Sequence, residues 1–268
     1  MRVAVVGCGS IGRRHALNLV ALGHHPWIYD TRPVERPSPE CTVTNRLDDA
    51  AMNCEAALIC TPARTHMEVV RALLDADYRG PLFVEKPLAT SVGECEVFRH
   101  WLHPVVMVGY NWRFHEEVMR WLAGPNLWQH FECYTDMATW PGVEYGEPIA
   151  ECSHELDLVL SRGGMFGAAG TLFGPDGMWL QFQGVSSSVV DLRWKCGARR
   201  RLTIKPFRPL APVQFIDFDM GSILDQSYRD ELAHFLRAVE GGPIAPGCTL
   251  EEGIAVLDVV EQARRLAG

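Results

Sequence analysis

The sequence predicts an α/β fold in which a doubly wound parallel sheet is followed by an α+β domain with a mostly antiparallel open sheet. Short apolar runs alternate with helical patterns over roughly the first 110 residues, and a glycine-rich turn follows the first run. Strand-like runs then come in close succession after residue 124. We therefore expect two domains, residues 1–118 and 119–268.

The elements of the first domain follow from its apolar runs and the residues that interrupt them. A proline-rich segment at 33–39 is predicted to be a loop. Helices with an apolar face are predicted at 11–22, 65–75 and 91–102. The strands are short and nearly all apolar, as expected where both sheet faces are buried, and are predicted at 2–6, 26–29, 43–44, 56–60, 82–85 and 105–109.

The second domain has a different pattern, with strands joined by short turns. Helices are expected at 151–160, 228–240 and 250–266. The strands are predicted at 127–134, 177–182, 187–194, 201–205 and 213–220. An open sheet with alternating apolar residues needs a cover, so we expect a homodimer or a tetramer built from dimers. The residues that suggest this apolar face are Trp179, Phe182, Val189 and Leu192.

Composition excludes several classes of protein. The chain has 268 residues, 47% of them hydrophobic, and a net charge of −8, which argues against nucleic acid as a partner. No apolar run is long enough for a membrane span, and the N-terminal run lacks a cleavage-type segment. The nine scattered cysteines form no C-x-x-C pair, so we expect no metal site and a cytoplasmic protein with reduced thiols.

A glycine motif between the first strand and helix carries the strongest chemical signal. In Gly7-x-Gly9-x-x-Gly12, the glycines permit a tight turn, close approach of a pyrophosphate, and close packing of helix on strand. Asp30 ends the second strand, where a carboxylate binds adenosine ribose hydroxyls and favours NAD; Arg32 leaves NADP as the alternative. The predicted cofactor contacts here are Gly7, Gly9, Ser10, Ile11, Gly12, Asp30, Thr31 and Arg32.

Four segments follow one another along the first domain: Gly7-Cys8-Gly9-Ser10-Ile11-Gly12-Arg13-Arg14-His15, Cys60-Thr61-Pro62-x-x-x-His66, Val84-Glu85-Lys86-Pro87-Leu88 and Gly109-Tyr110-Asn111-Trp112-Arg113-Phe114. Together they closely resemble the Gfo/Idh/MocA oxidoreductase family, and they cover residues 1 to about 115. The second domain resembles the family more loosely, at 152–157 and 228–236. The resemblance implies a Rossmann domain, an NAD cofactor and a sugar- or cyclitol-type substrate.

The chemistry of hydride transfer selects residues within these segments. Removing hydride from an alcohol carbon requires loss of the hydroxyl proton and stabilisation of charge on oxygen. Lys86, which in the family sits between nicotinamide and substrate, supplies positive charge, and His154, which matches the family's second-domain histidine, exchanges the proton. The remaining predicted contacts are Cys60, Thr61, Pro62, His66, Glu85 and again Lys86 for the cofactor, and Asn111, Arg113, Glu151 and Asp157 for the substrate.

Alternative interpretations stay open at this stage. His154 can instead cap its helix, His66 can orient the pocket, and Asp157 can orient His154 or form a helix salt bridge. Family members commonly carry aspartate three or four residues before the histidine, where this chain has Glu151 and Ala150. The other function classes are a glycosidase that oxidises its substrate transiently with NAD, and a non-catalytic dinucleotide-binding regulator.

Overall fold

The computed structural model describes residues 1–122, 129–134, 153–171, 177–184, 188–193, 201–206, 214–217 and 223–267. The chain forms two compact units, Met1–Asn111 with Tyr228–Ile254, and Trp112–Ser227 with Ala255–Gly268. These units differ from the predicted domains, because a C-terminal segment lies with the N-terminal sheet.

The elements alternate between strand and helix in the N-terminal half, as predicted. Three segments are 3₁₀ helices, at Ala63–Thr65, Gly93–His100 and Asn111–Phe114. The strands and α-helices are, in chain order, β1 (Arg2–Val6), α1 (Ser10–Ala21), β2 (His25–Tyr29), β3 (Thr42–Thr44), α2 (Leu47–Met52), β4 (Ala56–Ile59), α3 (His66–Asp75), β5 (Leu82–Glu85), β6 (Val106–Gly109), α4 (Glu116–Leu122), β7 (Gln129–Tyr134), α5 (Ser153–Ser161), β8 (Gly164–Thr171), β9 (Gly177–Gly184), β10 (Ser188–Arg193), β11 (Arg201–Pro206), β12 (Gln214–Asp217), α6 (Ile223–Val239), β13 (Cys248–Thr249) and α7 (Leu250–Ala267).

The first unit is built on a seven-stranded sheet in the order β13-β6-β5-β4-β1-β2-β3. Strands β1 to β6 pair in parallel, and β13 joins the edge antiparallel to β6. Every residue of β4, β5 and β6 is buried, which explains why these strands read as continuous apolar runs. The predicted doubly wound parallel sheet is confirmed.

The second unit contains a six-stranded sheet in the order β12-β11-β7-β10-β9-β8. Its neighbouring strands are antiparallel except for β7 and β10, which pair in parallel. The mostly antiparallel sheet is therefore confirmed. Within the described part of the chain, no helix is both long and apolar enough to cross a bilayer.

The apolar face predicted for this sheet requires a correction. Side chains alternate between the two faces along a strand, so Trp179 and Phe182 of β9 lie on opposite faces. Phe182 is fully buried within the chain, packed edge-on against Phe166 at a ring-centroid distance of 5.8 Å, and needs no second subunit to cover it. The side chains of Val189 and Leu192 lie outside the described residues.

Candidate functional site

The turn between β1 and α1 has a shape that requires glycine. Gly7 has φ +93°, a conformation that side chains rarely adopt, and a Cβ on Gly12 would lie 1.9 Å from the carbonyl oxygen of Gly7. Gly9 faces open space, with no atom within 4 Å of the position its Cβ would take. It precedes Ser10 and Ile11 at the start of α1 and forms no side-chain cap, so the first N–H groups of the helix can bind an anion.

Asp30 follows β2 beside this turn. Its Oδ2 accepts the main-chain N–H of Cys8 at 2.8 Å, and its Oδ1 accepts that of Arg32 at 2.9 Å. Burial raises the pKa of Asp30, but these two N–H groups and the Arg32 guanidinium outweigh burial and lower it overall. The carboxylate is thus ionised at neutral pH, whereas Thr31 and Arg32 are exposed. An ionised acid here suits ribose hydroxyls and repels a 2′-phosphate.

His66 joins the loops that follow β4 and β5. It is fully buried at the start of α3, with Nε2 at 2.7 Å from the carbonyl oxygen of Thr61. Its Nδ1 lies 3.0 Å from the carbonyl oxygen of Pro87 and 3.3 Å from that of Leu88. Both ring nitrogens therefore face main-chain oxygens, and this arrangement favours the pocket-orienting role over acid–base work.

The segment Cys60-Thr61-Pro62 follows β4 next to the glycine turn. Cys60 is buried; its carbonyl lies against Gly7, and its Cβ lies beside Gly12. The Thr61 hydroxyl is buried and has no hydrogen-bond partner in the described part of the chain. A buried hydroxyl with spare hydrogen-bonding capacity beside an open turn fits a polar ligand such as a dinucleotide.

Lys86 follows Glu85 at the carboxyl end of β5. In the sheet only β4 separates β5 from β1, so Lys86 and the glycine turn lie at the same edge. Oε1 of Glu85 accepts a hydrogen bond from Nε2 of His15 at 2.6 Å, and its Oε2 accepts the main-chain N–H of Lys86 at 3.2 Å. The sequence alone does not mark His15 as a site residue, although its position in the first motif is an available signal.

Two predicted residues lie together in the second unit as an ion pair. Nε and Nη2 of Arg113 donate to the two oxygens of Asp157, at 2.8 and 2.6 Å, and both side chains are buried. This bidentate pair joins α5 to the 3₁₀ helix that follows β6. It favours the salt-bridge interpretation of Asp157, with a partner from a different helix.

His154 lies at the start of α5, where its ring stacks on the indole of Trp112. The ring centroids are 4.6 Å apart and the planes are inclined by 12°. Both residues are buried, so the plane of the imidazole is fixed by packing. Asn111, which precedes Trp112 and belongs to the first unit, is also buried. Ala150 and Glu151 lie outside the described residues.

No group of three or more histidine, cysteine or acidic side chains in the described ranges could hold a metal ion. The strand order, the glycine turn and the acid after β2 instead define a dinucleotide-binding Rossmann domain. Residues 1–101 match the sequence profile of an oxidoreductase family with an NAD-binding Rossmann fold, Gfo/Idh/MocA. The N-terminal part of this chain is thus similar to the NAD-binding domain of that family.

Known proteins agree with this assignment. Myo-inositol dehydrogenase Hyg17 of Streptomyces leeuwenhoekii is 38% identical over 103 residues, which are 36% of this chain and 31% of that protein. This chain thus spans about a third of the length of the curated relatives it matches. A myo-inositol dehydrogenase from Corynebacterium glutamicum has a similar fold over the whole length of this chain (TM-score 0.80, 18% identity, covering 100% of this chain and 96% of that one). So does GenD2 from gentamicin A biosynthesis in complex with NAD (TM-score 0.76, 20% identity, covering 100% of this chain and 94% of that one).

Proposed function

We propose that this protein is an NAD-dependent dehydrogenase or reductase acting on a hydroxyl or keto carbon of a sugar, sugar nucleotide or cyclitol. The observation that carries the proposal is Lys86, an ammonium group at the same sheet edge as the glycine turn and Asp30. The relatives include two inositol dehydrogenases, which supports this substrate class.

The residues have distinct tasks in this reaction. Bound NAD supplies the hydride acceptor. Lys86 stabilises negative charge that develops on the substrate oxygen, and His154 exchanges the hydroxyl proton. Trp112 fixes the plane of the His154 ring, which limits the directions in which its nitrogens can point. The main chain of Lys86 is held by Glu85, and the ring of His154 is held by Trp112.

Two of the four predicted substrate contacts, Arg113 and Asp157, are bonded to each other in the structure. Asn111 and Glu151 are proposed to bind the substrate hydroxyls. Arg113 and Asp157 are proposed to support that site, because their bidentate ion pair engages both carboxylate oxygens and two guanidinium nitrogens. Loss of either partner would leave the other charge buried, so each is needed for the fold around α5.

Replacement of Lys86 tests the mechanism. A screen of sugars, inositols and nucleotide sugars with NAD and NADP, monitored by the absorbance of the reduced cofactor, first identifies a substrate. On that substrate, Lys86→Ala should lower kcat about 1,000-fold. The Kd for NAD should stay within about twofold, because the glycine turn and Asp30 remain. Lys86→Arg keeps the charge and serves as the matched control. Unchanged turnover in Lys86→Ala would disprove the mechanism, and NAD binding with no turnover on any polyol would favour a regulator.

We also propose that the protein is a cytoplasmic homodimer or a tetramer built from dimers. Support for assembly comes from β8, an edge strand of the six-stranded sheet, on which Met165 is 66% exposed. Light scattering at micromolar concentration measures the state, and a monomer would contradict it. Scattered cysteines support a reducing compartment; the six cysteines whose side chains the structure describes are free thiols.

A further inference from the structure

Two successive hydrogen bonds connect helix α1, which follows the glycine turn, to Lys86. His15, on the second turn of α1, donates from Nε2 to Oε1 of Glu85 at 2.6 Å. The other oxygen of the same carboxylate accepts the main-chain N–H of Lys86 at 3.2 Å. A carboxylate can only accept, so Nε2 of His15 carries the hydrogen. Helix α1 is thereby linked to the main chain of Lys86 through two side chains, those of His15 and Glu85.

The surroundings of His15 fix its ring in one orientation. Its side chain is fully buried, and it packs edge-on against Phe83 (centroids 5.4 Å apart) and Tyr228 (5.8 Å apart). Phe83 and Glu85 are two residues apart on β5, so both side chains extend from the same face of the sheet. Gly109, the register partner of Glu85, leaves room for Phe83, since a Cβ there would lie 2.9 Å from that ring. The His15 ring is therefore held by packing as well as by its hydrogen bond to Glu85.

Stability alone does not account for this arrangement. Burying a histidine and a carboxylate carries a desolvation cost, and apolar residues of similar volume often stabilise a core equally well. What an apolar pair cannot provide is an acceptor for the Lys86 N–H. The carboxylate therefore has a positional effect that apolar packing would lack.

We infer that His15 is a positioning residue for Lys86. It holds Glu85, and Glu85 holds the main chain of Lys86, so that the helix that binds the dinucleotide also sets the position of the ammonium group. The inference rests on the proposed role of Lys86. Positional errors of about 1 Å can lower the rate of an enzyme about 100-fold, which makes such a link consequential.

The test compares two replacements of similar length. His15→Gln keeps an N–H donor near the place of Nε2, whereas His15→Met fills the site without a donor. We expect His15→Met to lower kcat about 10- to 100-fold while the KM and Kd for NAD stay within about twofold. His15→Gln should recover kcat to within about threefold. Amide hydrogen exchange of Lys86, measured by NMR without any substrate, should quicken in His15→Met and stay slow in His15→Gln.

The outcomes separate this inference from the proposed function. Equal losses in both variants, or a Lys86 amide that exchanges at the same rate in all three proteins, would overturn the role of His15. If His15→Met does not fold, the Lys86 amide exchange of Glu85→Gln is compared with that of His15→Gln instead. The neutral side chain at position 85 weakens the hydrogen bond from the Lys86 N–H, so this amide should exchange faster in Glu85→Gln. Unchanged turnover in Lys86→Ala refutes the proposed function instead, and the exchange measurement still reports whether His15 holds the main chain.

Discussion

His66 shows how burial and hydrogen bonding compete at one residue. Burial lowers the pKa of His66, and it outweighs the opposing effects of the Thr61, Leu88 and Pro87 carbonyls and of the Glu85 carboxylate. The imidazole is therefore neutral at neutral pH. Its single N–H can donate to the Thr61 carbonyl, the shorter of its contacts.

This lowered pKa predicts a pH dependence of stability. The unfolded chain takes up a proton on His66 near pH 6.5, whereas the folded protein does so only at lower pH. The unfolded state thus binds more protons in this window, and the free energy of unfolding should fall as pH falls from about 7 through 6.5 and below. The effect is at most about 1.4 kcal/mol per pH unit. Urea unfolding at several pH values measures it.

The variant His66→Gln isolates the contribution of this residue. It keeps an amide donor near Nε2 but does not titrate, so its stability should depend less on pH than that of the wild type by the amount that His66 contributes. Parallel pH profiles for the two proteins would refute the prediction. A wild type that gains stability on acidification relative to the variant would show that the carbonyls outweigh burial.

At this scale the sequence predicts single residues better than pairs. Lys86 and Asp30 stand at fixed places in short motifs, next to strands that end at one edge of a parallel sheet. The partners His15 and Glu85 are 70 residues apart, and Arg113 and Asp157 are 44 apart. Such pairs depend on how helices pack, which the local pattern does not contain. The sequence accordingly suggested Arg113 and Asp157 as substrate contacts, whereas the structure pairs them with each other.

The turn between β1 and α1 offers a test at the scale of an element. Gly9→Ala places a methyl group in open space, so the free energy of unfolding should change by less than about 0.5 kcal/mol. Because that space is where a pyrophosphate would approach the helix, the Kd for NAD should rise at least about tenfold. Urea unfolding and calorimetric titration with NAD measure the two effects.

Gly12→Ala is the matched control in the same turn. Its Cβ would overlap the carbonyl oxygen of Gly7, a main-chain atom that cannot rotate away, so we expect a loss of about 3 kcal/mol in stability. Each variant adds one methyl group, at positions three residues apart, but the two should affect different properties. If Gly9→Ala binds NAD as tightly as the wild type, the open space is not the pyrophosphate site.

Most elements could be predicted because their signals are local. The buried strands at 2–6, 56–59 and 82–85 read directly from apolar runs. Helix α2 has six residues and β8 is rich in glycine and alanine, so neither shows a clear period. The predicted helix at 91–102 is a 3₁₀ helix at Gly93–His100, a difference that apolar spacing does not resolve. The parallel pairing of β7 with β10 joins distant strands and has no local signal.

For the whole molecule, two helices connect the compact units. Helix α6 begins in the second unit and continues into the first after Ser227, and α7 passes from the first to the second after Ile254. A helix forms and melts cooperatively, so an interruption at these points costs hydrogen bonds on both sides. Sequence position gave no indication of this division, because the segment 228–254 follows more than 100 residues of the second unit.

These continuous helices predict that NAD stabilises both units together, although its proposed contacts lie in the first. Two of the eight tryptophans, Trp27 and Trp101, belong to the first unit, so tryptophan fluorescence reports chiefly on the second. NAD at about 100 times its Kd should raise the free energy of unfolding by about 2.7 kcal/mol. We expect the same rise from tryptophan fluorescence and from far-UV circular dichroism in urea, within one transition.

Gly9→Ala provides the control for this linkage, because at the same NAD concentration its reduced affinity should leave a smaller shift by both signals. Independent units would behave differently: circular dichroism would show two transitions, and NAD would move only the one that tryptophan fluorescence barely reports. That result would mean that α6 and α7 break at residues 227 and 254 before the units unfold. Coincident shifts would instead mean that NAD bound at the glycine turn raises the free energy of unfolding of both units through these continuous helices. The whole chain would then unfold as one thermodynamic unit.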